Sequence, residues 1–558
     1  MHENMLTKRY SGIYLAVAAL AGTSTLALTG HISAAWSLFP ATLLALGLHD
    51  ITQKKHSILR AYPILGHMRY LLESVRPELQ QYLVQSDLAE VPFSRAQRSV
   101  VYQRAKGDPD AQAFGTELDV KRAGHEWIAH SLQPSVIPSA DFRVVVGAGR
   151  AKPYSLSVFN ISAMSFGALS ANAIRALNLG AKLGGFAHDT GEGSLSKYHQ
   201  ENGGDIIYQI ASGYFGCRTA DGQFDPQRFA ELSASEQVKM IEIKLSQGAK
   251  PGHGGVLPAA KVTQEISDTR GVPMGQDCIS PAAHSAFKNP KEFLLFAEQL
   301  RTLSGGKPVG AKLCIGRPEE WMSIVKAMVE TGITLDFVVV DGSEGGTGAA
   351  PLEFADHVGM PMQEGLVLVH NSLVGAGLRD KIRVVAAGKI VTAFDMARTL
   401  ALGADAINSA RSYMMAIGCI QAMSCSNSKC PTGVATQDPE RQKALVVPDK
   451  AERVRNYHDR TLRALQELLQ AAGLHHPSDL RPHHIVRRLS SYQVEQLSDL
   501  IEYIKPGSLL GEADCSPKYA RWWMAASSES FAGVGSAGAN SSSPAEKRVI
   551  WCAVDKAA

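Results

Sequence analysis

The chain has 558 residues, 45% of them hydrophobic and 20% charged, and a formal net charge of +3. That leaves room for a large core and roughly two to four structural units. The balance gives no reason to expect an acidic partner, and no basic block suits nucleic acid. The eight cysteines fall mostly outside any regular pattern and do not read as a disulfide framework. The 50 glycines cluster in short loops between apolar runs, as expected where backbone approaches a cofactor.

Tyr10 to Gly30 carries no charged side chain, nor does Ile32 to Leu48, and only His31 interrupts them. Each run is near the ~20 apolar residues a bilayer crossing needs, although the second carries Pro40. Lys8 and Arg9 precede the pair, and Lys54 and Lys55 follow it. Positive charge on both flanks predicts a hairpin of two crossings in the inner, cytoplasmic membrane, with both ends, and the domain that follows, in the cytoplasm. A cleaved signal peptide and a hairpin buried against the protein are the alternatives. Ile58 to Val84 reads as one or two amphipathic helices, with Leu65, Met68, Leu71, Leu72 and Val75 near helical period. Arg69, Glu73 and Arg76 fall elsewhere on the wheel. From Pro92 to about Phe142 the pattern is irregular and polar. His125 and His130 read as surface or packing residues.

From Tyr154 to Arg411 a strand, a glycine-rich loop and a helix recur. The predicted strands are Ser155–Ser162, Phe186–His188, Ile206–Ile210, Ile241–Leu245, Pro308–Cys314, Leu335–Val340, Ile382–Ala386 and Asp405–Ser409. Ser170 is placed to cap a helix over Ala171–Leu183. About eight such units over about 250 residues predict a closed (β/α)₈ barrel. A doubly wound open sheet is the runner-up, but no Gly-x-Gly-x-x-Gly follows an early strand.

Loops after barrel strands share one end, where sites are built. Gly388-Lys389 and Ala410-Arg411, after the last two strands, fit a barrel phosphate site. Lys312 is charged in mid-strand and is expected to point into the mouth, where it could stabilise negative charge on a flavin's pyrimidine edge; a salt-bridged structural lysine is the alternative. Glu192, Lys244, Lys250 and Arg270 offer charge for substrate carboxylates, Arg270 by bidentate pairing. Met164, Phe166, Tyr214 and Phe215 are candidates to line a ring-binding pocket.

Cys419, Cys425 and Cys430 follow, with five and then four residues between them. Three thiolates in one winding loop suit an iron–sulfur cluster with one corner lacking a protein ligand. Pro431 comes next, as proline follows the last cysteine of ferredoxin cluster loops. Zinc and a disulfide are the alternatives. Zinc would want a fourth ligand, and a disulfide would leave one cysteine over. Beyond the loop, Asp449–Ala472 predicts a helix that packs on the barrel and Tyr492–Ile504 one more. His475, His476, His483 and His484 form adjacent pairs that cannot share a helix face. Cys515 and Cys552 carry no pattern. Ala525–Ala545 has the composition of a disordered tail.

With these motifs in hand, the chain resembles the FMN-binding domain of glutamate synthases, and more closely the shorter, membrane-anchored proteins of that family. Met164-Ser165-Phe166-Gly167-Ala168-Leu169-Ser170, Thr190-Gly191-Glu192-Gly193, Gly248-Ala249-Lys250-Pro251-Gly252, Gly345-Gly346-Thr347-Gly348-Ala349 and Cys430-Pro431-Thr432-Gly433-Val434-Ala435-Thr436-Gln437 occur in order. The resemblance implies FMN in the barrel, with Met164, Ser165, Gly167, Lys312, Gly345, Gly346, Gly388, Lys389, Ala410 and Arg411 around it. It implies a [3Fe–4S] cluster on Cys419, Cys425 and Cys430. It also implies 2-oxoglutarate over the flavin ring, with Glu192 and Lys250 catalytic and Lys244, Gln247 and Arg270 binding substrate. Ammonia would condense with 2-oxoglutarate, and hydride from reduced flavin would give L-glutamate. The glutaminase domain of the larger enzymes and an NAD fingerprint are both missing. Ammonia is then free or comes from a separate subunit, and electrons come from ferredoxin or a separate reductase. Where the larger enzymes read Gly-Glu-Gly-Gly-Gln, this chain has Gly252-His253-Gly254-Gly255-Val256. Two alternatives remain: another FMN and iron–sulfur barrel acting on a 2-hydroxy or amino acid, and a membrane-tethered relative without turnover. The expected organisation is a transmembrane hairpin (1–50), an adaptor (51–142), the barrel (143–415), the cluster loop with its packing helix (416–475), a helical extension (476–524) and a disordered tail (525–558).

Overall fold

Eight parallel strands close into a barrel in the larger of the two units into which the chain divides, Gln97–Ala558. They are β1 (Phe159–Ile161), β2 (His188–Asp189), β3 (Ile206–Ile210), β4 (Val238–Lys244), β5 (Val309–Leu313), β6 (Phe337–Asp341), β7 (Arg383–Ala387) and β8 (Ala406–Ser409). The ring closes where Ile407 of β8 pairs with Phe159 of β1. The computed structural model describes residues 9–88, 91–511 and 513–533. The expected closed barrel is the fold observed, and all eight predicted strand segments overlap a barrel strand.

One segment needs correcting. Ser155–Ser162 is not a single strand, because its first half, Tyr154–Ser157, pairs antiparallel with Arg143–Val146. The chain then turns at Val158, whose N–H donates to the Phe142 carbonyl, and only Phe159–Ile161 joins the barrel. Both halves are apolar for different reasons, so their hydropathy runs together. Val146, Tyr154 and Leu156 of the hairpin pack with Ala187, Ile207, Met240, Phe337 and Ala406. Those residues start the barrel strands, so the hairpin plugs that end and leaves the other for a site.

Helix α1 (Ala171–Gly184) starts at Ser170, whose hydroxyl accepts from the Ala173 N–H as the sequence predicts. Helix α2 (Arg411–Ala416) follows β8 directly, and α3 (Val447–Ala471) lies along α1. Val454, Tyr457, Leu462, Leu465 and Leu469 of α3 are buried, which is the face expected from their spacing. The approach of the two helices is close: a Cβ at Gly180 would sit 2.5 Å from Val454 and 2.8 Å from the Ala451 carbonyl.

Three further expectations change. The stretch after Pro92 contains a helix, Arg95–Lys106, and a strand, Glu126–Ile128. That strand pairs with Ile485–Arg488, more than 300 residues away, so no local pattern announces it. The helix expected over Tyr492–Ile504 is instead a strand, Val494–Gln496, on the same small sheet, and a single helical turn, Leu497–Leu500. The tail expected from Ala525 stays ordered through residue 533. Lys326 Nζ holds the carbonyls of Trp523 and Ala526, each at 2.9 Å, and the Ser527 N–H donates to Ser323. These bonds tie the stretch to the helix Pro318–Thr331, and Ala526 and Ser528 are buried there. Residues 534–545 of that expectation lie outside the described residues.

The smaller unit, Met1–Ala96, contains two apolar segments, Ser11–Leu28 and Ala34–Thr52. Their 18 and 19 residues make them long and apolar enough to cross a membrane by length and composition.

The α1–α3 contact yields a stability test. Gly180→Leu should destabilise the barrel unit by about 1–3 kcal/mol or more through overpacking. A lowered thermal midpoint checks this; an unchanged midpoint would mean that α3 is free to move off α1.

Candidate active site

The loops at the open end bring four of the predicted polar residues into one ionic group. Lys244, the last residue of β4, places Nζ 3.1 Å from Glu192 Oε2 and donates to Gln247 Oε1 at 3.1 Å. Ser280 Oγ donates to the same Glu192 oxygen at 3.2 Å. Burial pushes the Glu192 carboxyl up, but Lys244 and Arg270 beside it outweigh burial and hold it below the usual range. Gly255 packs directly on this carboxylate: a Cβ there would lie 2.1 Å from Oε1.

Arg270 is buried and spans two loops. Its Nη2 donates to the Phe166 carbonyl at 3.0 Å and to Ser165 Oγ at 3.1 Å, and its guanidinium lies 5.4 Å from the Phe215 ring centre. Lys250, 2% exposed, donates to the Ala349 carbonyl at 3.3 Å. Burial lowers its ammonium's pKa, Glu192 opposes that, and Lys244 adds to it. Three cations thus gather round one carboxylate in a water-poor recess. Ser280 and Cys278 belong to the site without any sequence motif. A two-stranded ladder, Val256–Leu257 with Cys278–Ile279, puts the Cys278 sulfur 3.7 Å from Arg270 Nη1 and sets Ser280 over Glu192.

Lys312 of β5 points inward and is 5% exposed, with Nζ 3.6 Å from Asp341 Oδ2. Burial opposes its charge, but Asp341, Glu242 and Asp189 together raise its pKa. No sequence motif singles out any of these three acids. Asp189 and Glu242 are fully buried, on β2 and β4. Asp189 Oδ1 accepts from the Gly191 N–H at 2.9 Å, and Glu242 Oε1 from Gln209 Nε2 at 2.6 Å. Their other oxygens have no hydrogen-bond partner. Burial, with Glu242 beside it, holds Asp189 well above the carboxylate range, so the pair keeps a proton.

Gly388 and Lys389, after β7, line a cavity of about 300 Å³ with Glu344, Met362, Asp395 and Arg398. Lys389 is left-handed, with φ 50°. The helix start beside it offers an anion less than expected, because Asp395 Oδ2 already accepts from the Val391 and Thr392 N–H groups at 3.1 and 2.9 Å. Arg411, at the start of α2, reaches across to the β6 loop, where a Cβ at Gly346 would meet its Nη2 at 2.9 Å.

The cysteine loop begins where α2 ends. It winds through left-handed residues, with φ 59° at Gln421, 54° at Met423 and 61° at Ser428. Among the described residues the cysteines are free thiols. Burial raises Cys419, with Cys425 and Cys430 adding to it, while the Gln421 N–H and Arg411 pull the other way. Burial also pushes Cys430 up, but N–H groups of Ala435, Thr432 and Val434 and the Thr432 hydroxyl outweigh it, and the net direction is down. Cys425 lies against the β6 loop: a Cβ at Gly348 would be 3.2 Å from its Cβ. Lys261, buried between the loops, donates to the Ala168 carbonyl at 3.1 Å and the Ala435 carbonyl at 3.2 Å. Gln437 Nε2 donates to the Gly167 and Leu169 carbonyls at 3.0 and 2.9 Å. Among the described residues, no three His, Cys, Asp or Glu side chains are arranged to hold a single metal ion.

Residues 143–475 match the family model described as the conserved region in glutamate synthase. The chain belongs to the glutamate synthase family. All the site residues above lie within that matched span. A glutamate synthase large subunit-like protein of Bacillus subtilis is 38% identical over 495 residues, 81% of this chain and 94% of its own. An archaeal-type glutamate synthase [NADPH] of Thermotoga neapolitana is 38% identical over 322 residues, 57% of this chain and 60% of that protein. An archaeal glutamate synthase [NADPH] of Methanocaldococcus jannaschii is likewise 38% identical over 322 residues, with 58% of this chain and 60% of that protein covered. The chain therefore spans about 60% of the length of these last two relatives. Membership makes it a glutamate synthase-type oxidoreductase.

The buried acid pair is open to test. Asp189 keeps a proton that the unfolded chain would lose at ordinary carboxylate pH. Stability should therefore be highest below about pH 4 for this group and fall as pH rises towards its raised value. Infrared spectra at neutral pH should show a protonated carboxyl band that Asp189→Asn removes, and the variant should flatten the pH dependence. A spectrum unchanged by the substitution would contradict the shared proton.

Proposed function

We propose that this family member forms L-glutamate from 2-oxoglutarate and ammonia, with FMN in the barrel mouth and a [3Fe–4S] cluster on Cys419, Cys425 and Cys430. The observation that carries the reading is the charge count of the recess. Lys244, Lys250 and Arg270 surround Glu192 alone, which leaves two positive charges, the complement of a dicarboxylate.

The residues fit the two groups. Backbone at Gly346 and Gly388 passes where a side chain would collide, with Arg411 at 2.9 Å and Met362 at 2.7 Å from the added Cβ. Met164, Ser165 and Gly167 bring the first loop to the same end, and Ala410 delivers Arg411 to it. The three cysteines act on one another electrostatically, and N–H groups already face the Cys419 and Cys430 sulfurs. Bound there, FMN would supply the hydride and the cluster would pass electrons singly.

The chain's own residues do the rest. Arg270 and Lys250 hold the two carboxylates, and their burial strengthens each contact by excluding water. Lys244 keeps Glu192 ionised, so Glu192 can position ammonia and take its proton. Lys312 faces the place where negative charge would grow on the ring, and the proton on Asp189 and Glu242 lies beneath it. Ammonia arrives free or from a separate glutaminase subunit, and electrons from ferredoxin or a separate reductase. The hairpin anchors the chain in the cytoplasmic membrane with the barrel on the cytoplasmic side.

A second reading, action on a 2-hydroxy or amino acid, draws on His253. Its ring packs edge-on to Phe354 at 5.4 Å, in the loop whose Gly255 touches Glu192. Anaerobic turnover of photoreduced protein with ammonia and a panel of 2-oxo acids separates the two. Glutamate should form from 2-oxoglutarate, and Lys250→Ala should lower the rate by about 10²–10³-fold. Turnover only with monocarboxylates would favour the second reading. The KM for 2-oxoglutarate should also rise at a lower pH than a solvated lysine would dictate, because burial depresses Lys250.

A further inference from the structure

The smaller unit carries an apolar surface that the proposed chemistry does not use. The helix Gly66–Leu79 and the turn before it expose Leu65, Met68, Leu71, Leu72, Val75 and Leu79, a stripe with helical spacing. Met68 is 58% exposed and Leu72 56%. Arg69 and Glu73 pair at 2.8 Å away from the stripe.

Its position relative to the two apolar segments is fixed by direct contacts. Near the Ser11 and Thr52 ends the segments close on Pro63 and Ile64. A Cβ at Gly12 would lie 3.0 Å from the Pro63 carbonyl, and one at Gly47 would lie 2.8 Å from Ile13 and 3.1 Å from Ile64. Asp50, 1% exposed, accepts from the Ile64 N–H at 2.9 Å, and its carboxylate meets His67 Nε2 at 3.0 Å. The amphipathic helix is therefore pinned, by its first turn, at the end of the hairpin where both apolar segments meet the rest of the chain. If those segments cross a bilayer, this is the depth of the headgroups. Charge agrees: between residues 53 and 79, Lys54, Lys55, Arg60, Arg69 and Arg76 face only Glu73 and Glu78.

We propose that Gly66–Leu79 is an interfacial helix that buries its leucine stripe in the headgroup layer of an anionic bilayer. The apolar stripe supplies the buried area and the basic excess supplies the preference for anionic lipid. This rests on reading the two apolar segments as membrane-crossing.

The test uses the full chain reconstituted in phosphatidylcholine vesicles with or without phosphatidylglycerol. Flotation with the vesicles after alkaline washing reports the hairpin, and hydrogen exchange of residues 66–84 reports the helix. Exchange there should slow roughly tenfold or more when phosphatidylglycerol is present. Leu71→Ser with Leu72→Ser should abolish that slowing while the protein still floats. Exchange that ignores the lipid while the protein floats would overturn the proposal and leave the hairpin standing. Protection that follows protein concentration without vesicles would overturn it in favour of a second copy. Failure to float would remove the hairpin and the proposal together.

Discussion

The geometry depends on one buried ammonium. Lys261 holds the carbonyls of Ala168 and Ala435, and so ties the loop after β1 to the loop of the three cysteines. Gln437 and the hydrogen bond from the Ser170 N–H to the Val434 carbonyl close the same seam. Burial lowers the Lys261 pKa, and Cys425 and Cys430 beside it oppose that. A buried cation is costly unless acceptors lie close, and the two carbonyls supply them. Four side-chain hydrogen bonds thus join the loop after β1 and the cysteine loop.

The recess follows from that seam. Arg270 donates to Phe166 and Ser165 on the same β1 loop, so the position of its guanidinium is inherited from the contact with the cysteine loop. Through Arg270 and Lys244 the field reaches Glu192, and through Gly348 and Cys425 the β6 loop joins the same assembly. Inside the barrel, Lys312 answers three acids with one charge. A proton held by Asp189 and Glu242 is the simplest way to keep that interior near neutrality.

Much of this was legible in the residues. Barrel strands are buried on both faces and read as apolar runs, and the glycine motifs mark where backbone comes close to other groups. Glu192, Lys244, Gln247 and Lys250 stand in loops after barrel strands or at a strand's end, so the barrel topology alone puts them at one end, whereas Arg270 reaches the group from the end of the helix Gln264–Arg270. What the sequence hid was long-range. Asp189 and Glu242 are ordinary acids until β3, which pairs with both β2 and β4, brings their strands to its two sides. Ser280 and Cys278 reach the site through a two-stranded ladder inserted between β4 and β5, which no periodicity marks. Glu126–Ile128 finds its partner across more than 300 residues. The ordered Ala-Ser stretch after Ala525 misled because small residues serve both loose tails and close packing.

The proposed function requires the cysteine loop and the barrel mouth to work as one redox unit. Iron-edge anomalous diffraction from crystals of anaerobically purified protein tests it most directly. One compact iron peak is expected, bounded by the sulfurs of Cys419, Cys425 and Cys430, beside Gly348 and on the same end of the barrel as Lys312. A single zinc or a disulfide at those cysteines, or iron bound elsewhere, would contradict it.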